Sequence, residues 1–72
     1  MHVVPSDGGS PARLRVKGRV RRVESILETW RIDDEWWREP ISREYFSILV
    51  EGGGHLTVYR DLVEGRWYLQ PD

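Results

Sequence analysis

Residues 12–22 read ARLRVKGRVRR, and this stretch decides the fold class. Apolar side chains alternate with cations: Ala12, Leu14, Val16 and Val20 occupy one phase, and the other phase is Arg13, Arg15, Lys17, Arg19 and Arg21. A period of two is typical of a half-buried β-strand. Lys17-Gly18 in its middle suits a tight turn, so we predict a hairpin whose second strand starts at Arg19.

Beyond Arg22 the pattern is less regular. The second strand is predicted to continue through Val23, Ile26, Leu27, Trp30 and Ile32, where apolar residues fall on both phases, as at a bulge or in a strand covered on both sides. A helix over residues 22–30 is the competing interpretation, because four of these residues also fit the spacing i, i+3, i+4, i+7. The β-branched and aromatic content favours the strand.

Residues 33–44 are mostly polar and are interrupted by Pro40. We interpret them as a connection that holds one short helical turn, capped by Asp33 or Asp34.

The C-terminal part alternates strands with turn residues. Residues 45–50 and 55–60 are predicted strands on either side of a turn at Gly52-Gly53-Gly54. Residues 61–65 suit a type I turn with Gly65 in the left-handed conformation, after which residues 66–70 form the last strand.

The segment before Ala12 has the composition of a mobile leader, since it contains Pro5, Gly8, Gly9, Ser10 and Pro11 and few apolar residues. We therefore divide the chain into a flexible leader, residues 1–11, and one small β domain, residues 12–72. The predicted fold is mainly all-β: about five antiparallel strands in a meander, as a partly open small barrel or a strongly twisted sheet.

Composition limits the classes of protein. A chain of 72 residues has a small core, and such chains commonly rely on disulfides, metals or a second subunit. The absence of cysteine excludes disulfides and a cysteine-based zinc site. No apolar stretch approaches the length of a membrane span, and residues 1–10 do not have the make-up of a signal peptide, so we expect a cytoplasmic protein.

Charge is unevenly distributed along the chain. Residues 1–22 carry a net charge of +5 and residues 23–72 a net charge of −6. This asymmetry orients the molecule toward a polyanion or toward a copy of itself. Together with the small core, it predicts self-association, as in a homodimer.

An ordered set of short motifs resembles a short bacterial domain family of unknown function, which is found alone or as the C-terminal piece of Y-family polymerase-like proteins of mutagenic DNA repair. The motifs are Gly18-Arg19, Val23, Thr29-Trp30-Arg31, Glu35-Trp36-Trp37-Arg38, Tyr45-Phe46, Tyr59-Arg60-Asp61 and Gly65-Arg66-Trp67-Tyr68. The resemblance covers roughly residues 11–71. It implies a DNA-repair setting but neither an activity nor any functional residue.

The arginine-rich strand is the candidate nucleic-acid site. On a strand, every second side chain lies about 6–7 Å from the next, close to the phosphate spacing of nucleic acid. The alternative is an exposed strand face on which arginine serves solubility and blocks edge pairing. The candidate residues are Arg13, Arg15, Lys17, Arg19, Arg21 and Arg22.

Four tryptophans are many for so short a chain. We expect Trp30 and Trp67 in the core. Adjacent strand residues face opposite ways, so Trp36 and Trp37 are not easily both buried, and one of them is the candidate partner-binding contact. Exposed rings beside arginine would also form a stacking platform for single-stranded bases.

No other pattern predicts a catalytic, cofactor or metal site. The acidic run Asp33-Asp34-Glu35 lacks the glycine and the spacing of a calcium loop. His55 stands alone beside the glycine turn, which lacks the residues of a phosphate-binding loop. The serines have no nucleophile-elbow context, and neither histidine is placed to act as their base.

The sequence therefore predicts a non-catalytic interaction module without cofactor or metal. Its leading function is protein binding in a DNA-repair setting through Trp36-Trp37 and a free sheet edge. The alternative is single-stranded nucleic-acid binding by the arginine-rich strand with aromatic stacking.

Overall fold

A computed structural model describes residues 2–36 and 39–70, with the backbone alone at residues 35, 36 and 39. Six strands follow one another in a meander, each antiparallel to the next. They form a nearly closed barrel, and the described residues contain no helix. The all-β prediction is confirmed. The strands are β1 His2–Pro5, β2 Pro11–Val16, β3 Arg19–Trp36, β4 Glu39–Val50, β5 Gly54–Asp61 and β6 Arg66–Leu69.

The long strand β3 is shared between two sheets. Residues 19–22 pair with β2, whereas residues 23–36 pair with β4. The N-terminal sheet is therefore β1, β2 and the start of β3, and the C-terminal sheet is the rest of β3 with β4, β5 and β6. The core lies between these sheets.

The core is built from alternating residues of facing strands. Leu14 and Val3 come from the N-terminal sheet; Phe46, Ile48, Val50 and Val58 come from the C-terminal sheet. Three of these are successive even positions of β4, as the two-residue period of a strand requires. Each fully buried aliphatic side chain contributes about 1.5–3 kcal/mol, so this small set carries much of the stability.

The prediction of a mobile leader over residues 1–11 is wrong where the structure describes that segment. Residues 2–5 form β1, which pairs with β2 and buries Val3. The intervening turn is closed by a hydrogen bond from Ser6 N to Ser10 O (2.7 Å). Four residues with one buried valine are too few to display an alternating pattern, so the sequence did not predict this sixth strand.

Residues 33–44 are not a connection, and no helical turn forms within their described part. β3 continues to Trp36 and β4 begins at Glu39, which makes a long hairpin. Pro40 fits in β4 because β5 pairs only from Arg43 onward, so one side of β4 has no ladder there. We call residues 33–36 and 39–42, which pair only with each other, the hairpin arm.

Two bulges interrupt the first half of the β3–β4 ladder, so of the two predicted explanations, a bulge or a strand covered on both sides, the structure shows the bulge. Glu24 and Leu27 are extra residues without a direct partner in β4. As a result Val23, Ile26 and Thr29, three residues apart, lie opposite the core-facing residues of β4. Val23 and Ile26 also belong to the apparent helical pattern over residues 22–30, which the structure shows as strand.

The predicted turns at Lys17-Gly18 and Gly65 are confirmed. Lys17 (φ 51°) and Gly18 (φ 78°) both have positive φ, as a type I′ hairpin turn requires. Gly65 has a φ of 76°, and its N–H donates to Asp61 O (2.7 Å). The Asp61 carboxylate also accepts from the backbone N–H groups of Val63 and Glu64, which fixes the turn.

Candidate functional site: an open strand edge and a cationic barrel end

The second side of β3 is open along most of its length. After Arg22, β2 no longer pairs with it, so residues 23–36 have β4 as their one described neighbour. Every residue from Glu24 to Asp34 is exposed. A strand with one neighbour presents a row of unpaired N–H and C=O groups. We call residues 23–36 of β3 the open edge.

Large apolar side chains lie along the open edge. Leu27 is 57% exposed, Ile32 42% and Trp30 38%. Long apolar edges are usually blunted or covered in soluble proteins, because they pair readily with other strands. The open edge therefore has the character of a binding surface.

Four aromatic rings cross the outer face of the C-terminal sheet in one row. Trp30, Tyr45, Tyr59 and Tyr68 are direct cross-strand partners on β3, β4, β5 and β6. Successive ring centroids are 5.3, 5.0 and 5.2 Å apart. Tyr68 OH donates to the Glu64 carboxylate (2.8 Å), which raises the pKa of Tyr68. We call these four rings the aromatic ladder.

The ladder corrects one prediction and confirms another. Trp30 lies at the open-edge end of the ladder, stacked on Tyr45 with an interplanar angle of 4°, and not in the core. Trp67 is half-buried and packs against Phe46 in the core, as predicted. Because the ladder rings pack against one another, two pairs stacked and the Tyr45–Tyr59 pair tilted, most of their faces are already occupied.

The candidate arginines do not share one face. Cross-strand partners lie on the same face, and Leu14 pairs with Arg21 while Val16 pairs with Arg19. Arg13, Arg15 and Arg22 lie on the outer face instead. The expected single cationic face is wrong, because the two-residue turn shifts the phase and places Arg19 and Arg21 opposite apolar residues.

The cations gather instead at one end of the barrel. Two grooves meet at Val16 and Lys17, on either side of the Lys17-Gly18 turn. One, of about 440 Å³, is lined by Val16, Lys17, Arg19, Arg21, Val50, Gly54 and Leu56. The other, of about 620 Å³, lies at the seam between the first strands and β6 and is lined by His2, Arg15, Val16, Lys17, Gly18, Trp67, Tyr68 and Leu69.

The hairpin arm carries a polar cluster. Ser42 Oγ donates to Asp33 Oδ1 (2.6 Å), and Arg31 Nε lies 2.7 Å from Asp33 Oδ2. These two interactions, the serine hydrogen bond first, lower the pKa of Asp33. Asp33 and Asp34 thus lie within a strand and do not cap a helix.

A serine and a histidine meet on the outer face of the C-terminal sheet. Ser47 Oγ lies 2.6 Å from His55 Nε2, although the sequence pattern indicates neither histidine as a base for any serine. The hairpin register brings them together diagonally, since Ser47 pairs with Thr57 and His55 with Leu49. Neither residue lines any of the grooves above, so the structure gives the pair no substrate pocket there.

The tryptophan pair is only partly within the described residues. The backbone of Trp36 ends β3, whereas Trp37 lies outside the described residues. Among residues 2–36 and 39–70, no three His, Asp or Glu side chains converge as metal ligands would. In the same part of the chain we find no helix with the length and apolarity needed to cross a bilayer.

Comparisons with protein-family models, curated proteins and solved structures gave no match. The functional proposal therefore depends on the surfaces themselves.

Proposed function

We propose that this chain is a non-catalytic interaction module and that its protein partner adds an extended segment to the open edge of β3. The observation that carries the proposal is a long strand with one described neighbour and with Leu27, Trp30 and Ile32 exposed along it. In strand addition, main-chain hydrogen bonds supply affinity and alternating side chains supply specificity.

The two faces of the open edge differ in chemistry. Trp30 and Ile32 lie on the outer face, whereas Arg31 and Asp33 lie on the opposite face. A strand added to this edge meets apolar side chains on one face and a charged pair on the other. The partner segment is therefore expected to alternate apolar and polar residues.

The DNA-repair or translesion setting of this binding is what the resemblance described above implies, and a cytoplasmic location is part of the same proposal. Trp36, at the end of the open edge, and Trp37, the next residue in sequence, are further proposed contacts. Self-association by twofold pairing of two open edges uses the same surface and is part of the proposal.

Single-stranded nucleic-acid binding is the second candidate function. The cationic barrel end favours it, since Arg15, Lys17, Arg19 and Arg21 all line its grooves. The aromatic ladder weighs against it, because Tyr68 is the one ladder ring that lines either groove and the four rings pack against one another and offer few free faces to bases.

The test is a display selection of extended peptides against the whole chain, followed by affinity measurement on two variants. Leu27→Lys places a charge on the open edge and is expected to weaken the selected peptides by about tenfold or more. Val63→Lys is the matched control. The exposed fraction of Val63, 59%, is close to that of Leu27, but Val63 lies in the β5–β6 turn. Its affinity is expected to stay within about twofold of the parent.

Hydrogen exchange locates the bound segment. Amides of residues 24–34 are expected to gain protection when peptide is added, since their free groups become paired. Peptides that bind both lysine variants equally, or that protect another strand, would contradict the proposal. A salt-dependent complex with a single-stranded oligonucleotide, with a slope of about −0.7 per phosphate contacted, would favour the second candidate.

A further inference from the structure

The Lys17-Gly18 turn stands between two grooves at the end of the barrel opposite the hairpin arm. Antiparallel order places the β2–β3 and β4–β5 turns at this same end. The smaller groove runs between these two turns and carries a distinct chemistry. We call it the cationic groove.

The floor of the cationic groove is aliphatic. Val16, Val50 and Leu56 supply it, with Val50 buried and the other two half-buried. Gly54 keeps one wall low, since a Cβ at this position would lie 3.0 Å from Val50 Cγ2. The floor therefore suits an aliphatic side chain of a ligand.

The rim of the cationic groove is positively charged. Lys17 and Arg19 are exposed, whereas Arg21 is half-buried and its Nη1 donates to Glu51 O at 3.5 Å. The same Nη1 lies 4.0 Å from the Cβ position of Gly54, so the guanidinium is held over the groove wall.

Among the described residues, no acidic side chain lines this rim. Neither groove is lined by Asp or Glu. Glu51, in the adjacent turn, accepts a hydrogen bond from Arg22 N through Oε1 (3.3 Å). A positive rim around a low-dielectric floor attracts anionic groups.

We propose that the cationic groove binds an acidic peptide segment, with an aliphatic side chain on the Val16–Val50–Leu56 floor and flanking carboxylates against Lys17, Arg19 and Arg21. Its volume of about 440 Å³ falls in the range of ligand sites. The aliphatic floor favours a peptide over single-stranded nucleic acid, which needs free aromatic faces. This site shares no residue with the open edge and does not depend on it.

Fluorescence anisotropy with a synthetic peptide tests the proposal. The probe is a labelled peptide with two leucines flanked by aspartates, titrated with the full chain at low salt. Replacing its leucines by serines is expected to weaken binding about tenfold or more, because the floor contact is lost. The Lys17→Gln/Arg19→Gln double variant is expected to weaken the parent peptide about five- to tenfold.

Arg13→Gln/Arg22→Gln is the matched control. It removes the same charge from the outer face of the N-terminal sheet, and the affinity is expected to stay within about twofold. Circular dichroism verifies that both double variants are folded. Chemical-shift changes at Val50, Gly54 and Leu56 on peptide addition place the ligand in the groove.

Three outcomes would overturn the proposal. Oligothymidylate that binds more tightly than the peptide, and loses affinity in the Lys17→Gln/Arg19→Gln variant, would make this a nucleic-acid site. Equal losses of peptide affinity in both double variants would show that net charge, and not the groove, determines binding. No binding of the parent peptide at low salt would remove the site.

Discussion

Strands β3 and β4 have similar apolar content and are directly paired, yet they are buried to very different extents. Ile26 and Ile48 are cross-strand partners, and Ile48 is fully buried while Ile26 is 38% exposed. Trp30 and Tyr45 are partners in the same way, with 38% and 7% exposed. The difference lies in the number of neighbouring strands. From Arg43 to Val50, β4 is paired on both sides, whereas β3 is paired on one side beyond Arg22.

This comparison separates hydrophobicity from burial. An apolar strand with two neighbours and a facing sheet becomes core. A strand that carries several large apolar residues but has one neighbour becomes a surface on which further pairing is favourable. The exposed apolar residues of the open edge therefore belong to a strand that lacks a second pairing partner, and they do not indicate a poorly packed core.

The largest effect is expected from truncating the two partnered isoleucines in turn. Ile48→Ala should destabilise the fold by about 2–5 kcal/mol, because it leaves a cavity between the sheets. Ile26→Ala should cost about 1 kcal/mol or less, since that side chain is already partly in water. Urea denaturation measures the free energy of unfolding of both variants. If Ile48→Ala does not fold, Ile48→Val and Ile26→Val replace the alanine variants, and Ile48→Val is expected to lose about 0.5–1.5 kcal/mol. Equal losses would show that β3 is covered in solution.

A smaller effect is expected at the turn that follows β5, which is the second neighbour of β4. The Leu62–Gly65 turn brings β6 against β5, and Gly65 has a φ of 76° that a Cβ disfavours. Gly65→Ala should destabilise by about 1 kcal/mol or more, measured by thermal or urea unfolding. Gly8→Ala is the control, because no atom lies within 4 Å of its Cβ position and its φ is not in the left-handed range. An unchanged midpoint for Gly65→Ala would contradict this account of the turn.

The smallest effect is expected on the hairpin arm, where exposed polar contacts replace packing. The pKa of Asp33 is lowered, first by Ser42 and then by Arg31. Its contribution to stability is therefore fully present above the ordinary carboxyl pKa of about 3.9 and is lost as the pH falls through the lowered value. Asp33→Asn should lower the Tm slightly at neutral pH, and the difference should vanish in acid. Asp34→Asn is the control, and a difference that persists unchanged in acid would contradict the assignment.

Much of the fold could be predicted from the sequence because strand alternation and turn chemistry are local. The hairpin at Lys17-Gly18 and the turn at Gly65 followed from residue type alone. The length of β3 did not, because two bulges changed its period from two toward three and gave it a helical spacing. Strand β1 could not be predicted because a single buried valine sets no alternating pattern. The hairpin arm could not be predicted because a strand tolerates Pro40 only where it has one neighbour.

The candidate surfaces were less predictable, because they depend on register. Counting alternate residues through a two-residue turn placed Arg19 and Arg21 on the wrong face, and pairing Val16 with Arg19 would have corrected it. The aromatic ladder and the Ser47–His55 contact also follow from register and not from spacing along the chain. The free sheet edge was expected, but its place on β3 required knowing where β2 stops pairing.

The larger groove, of about 620 Å³, lies beside both the first and the last strand of the barrel. His2, at the start of β1, and Leu69, at the end of β6, line the same groove, so the first strand begins and the last strand ends beside it. A unit with adjoining ends can be spliced into a surface loop of another protein without threading through its own sheet. Its ends can also be joined by a short linker and the chain reopened at the exposed Glu51–Gly53 turn, giving a circular permutant with the same strand neighbours.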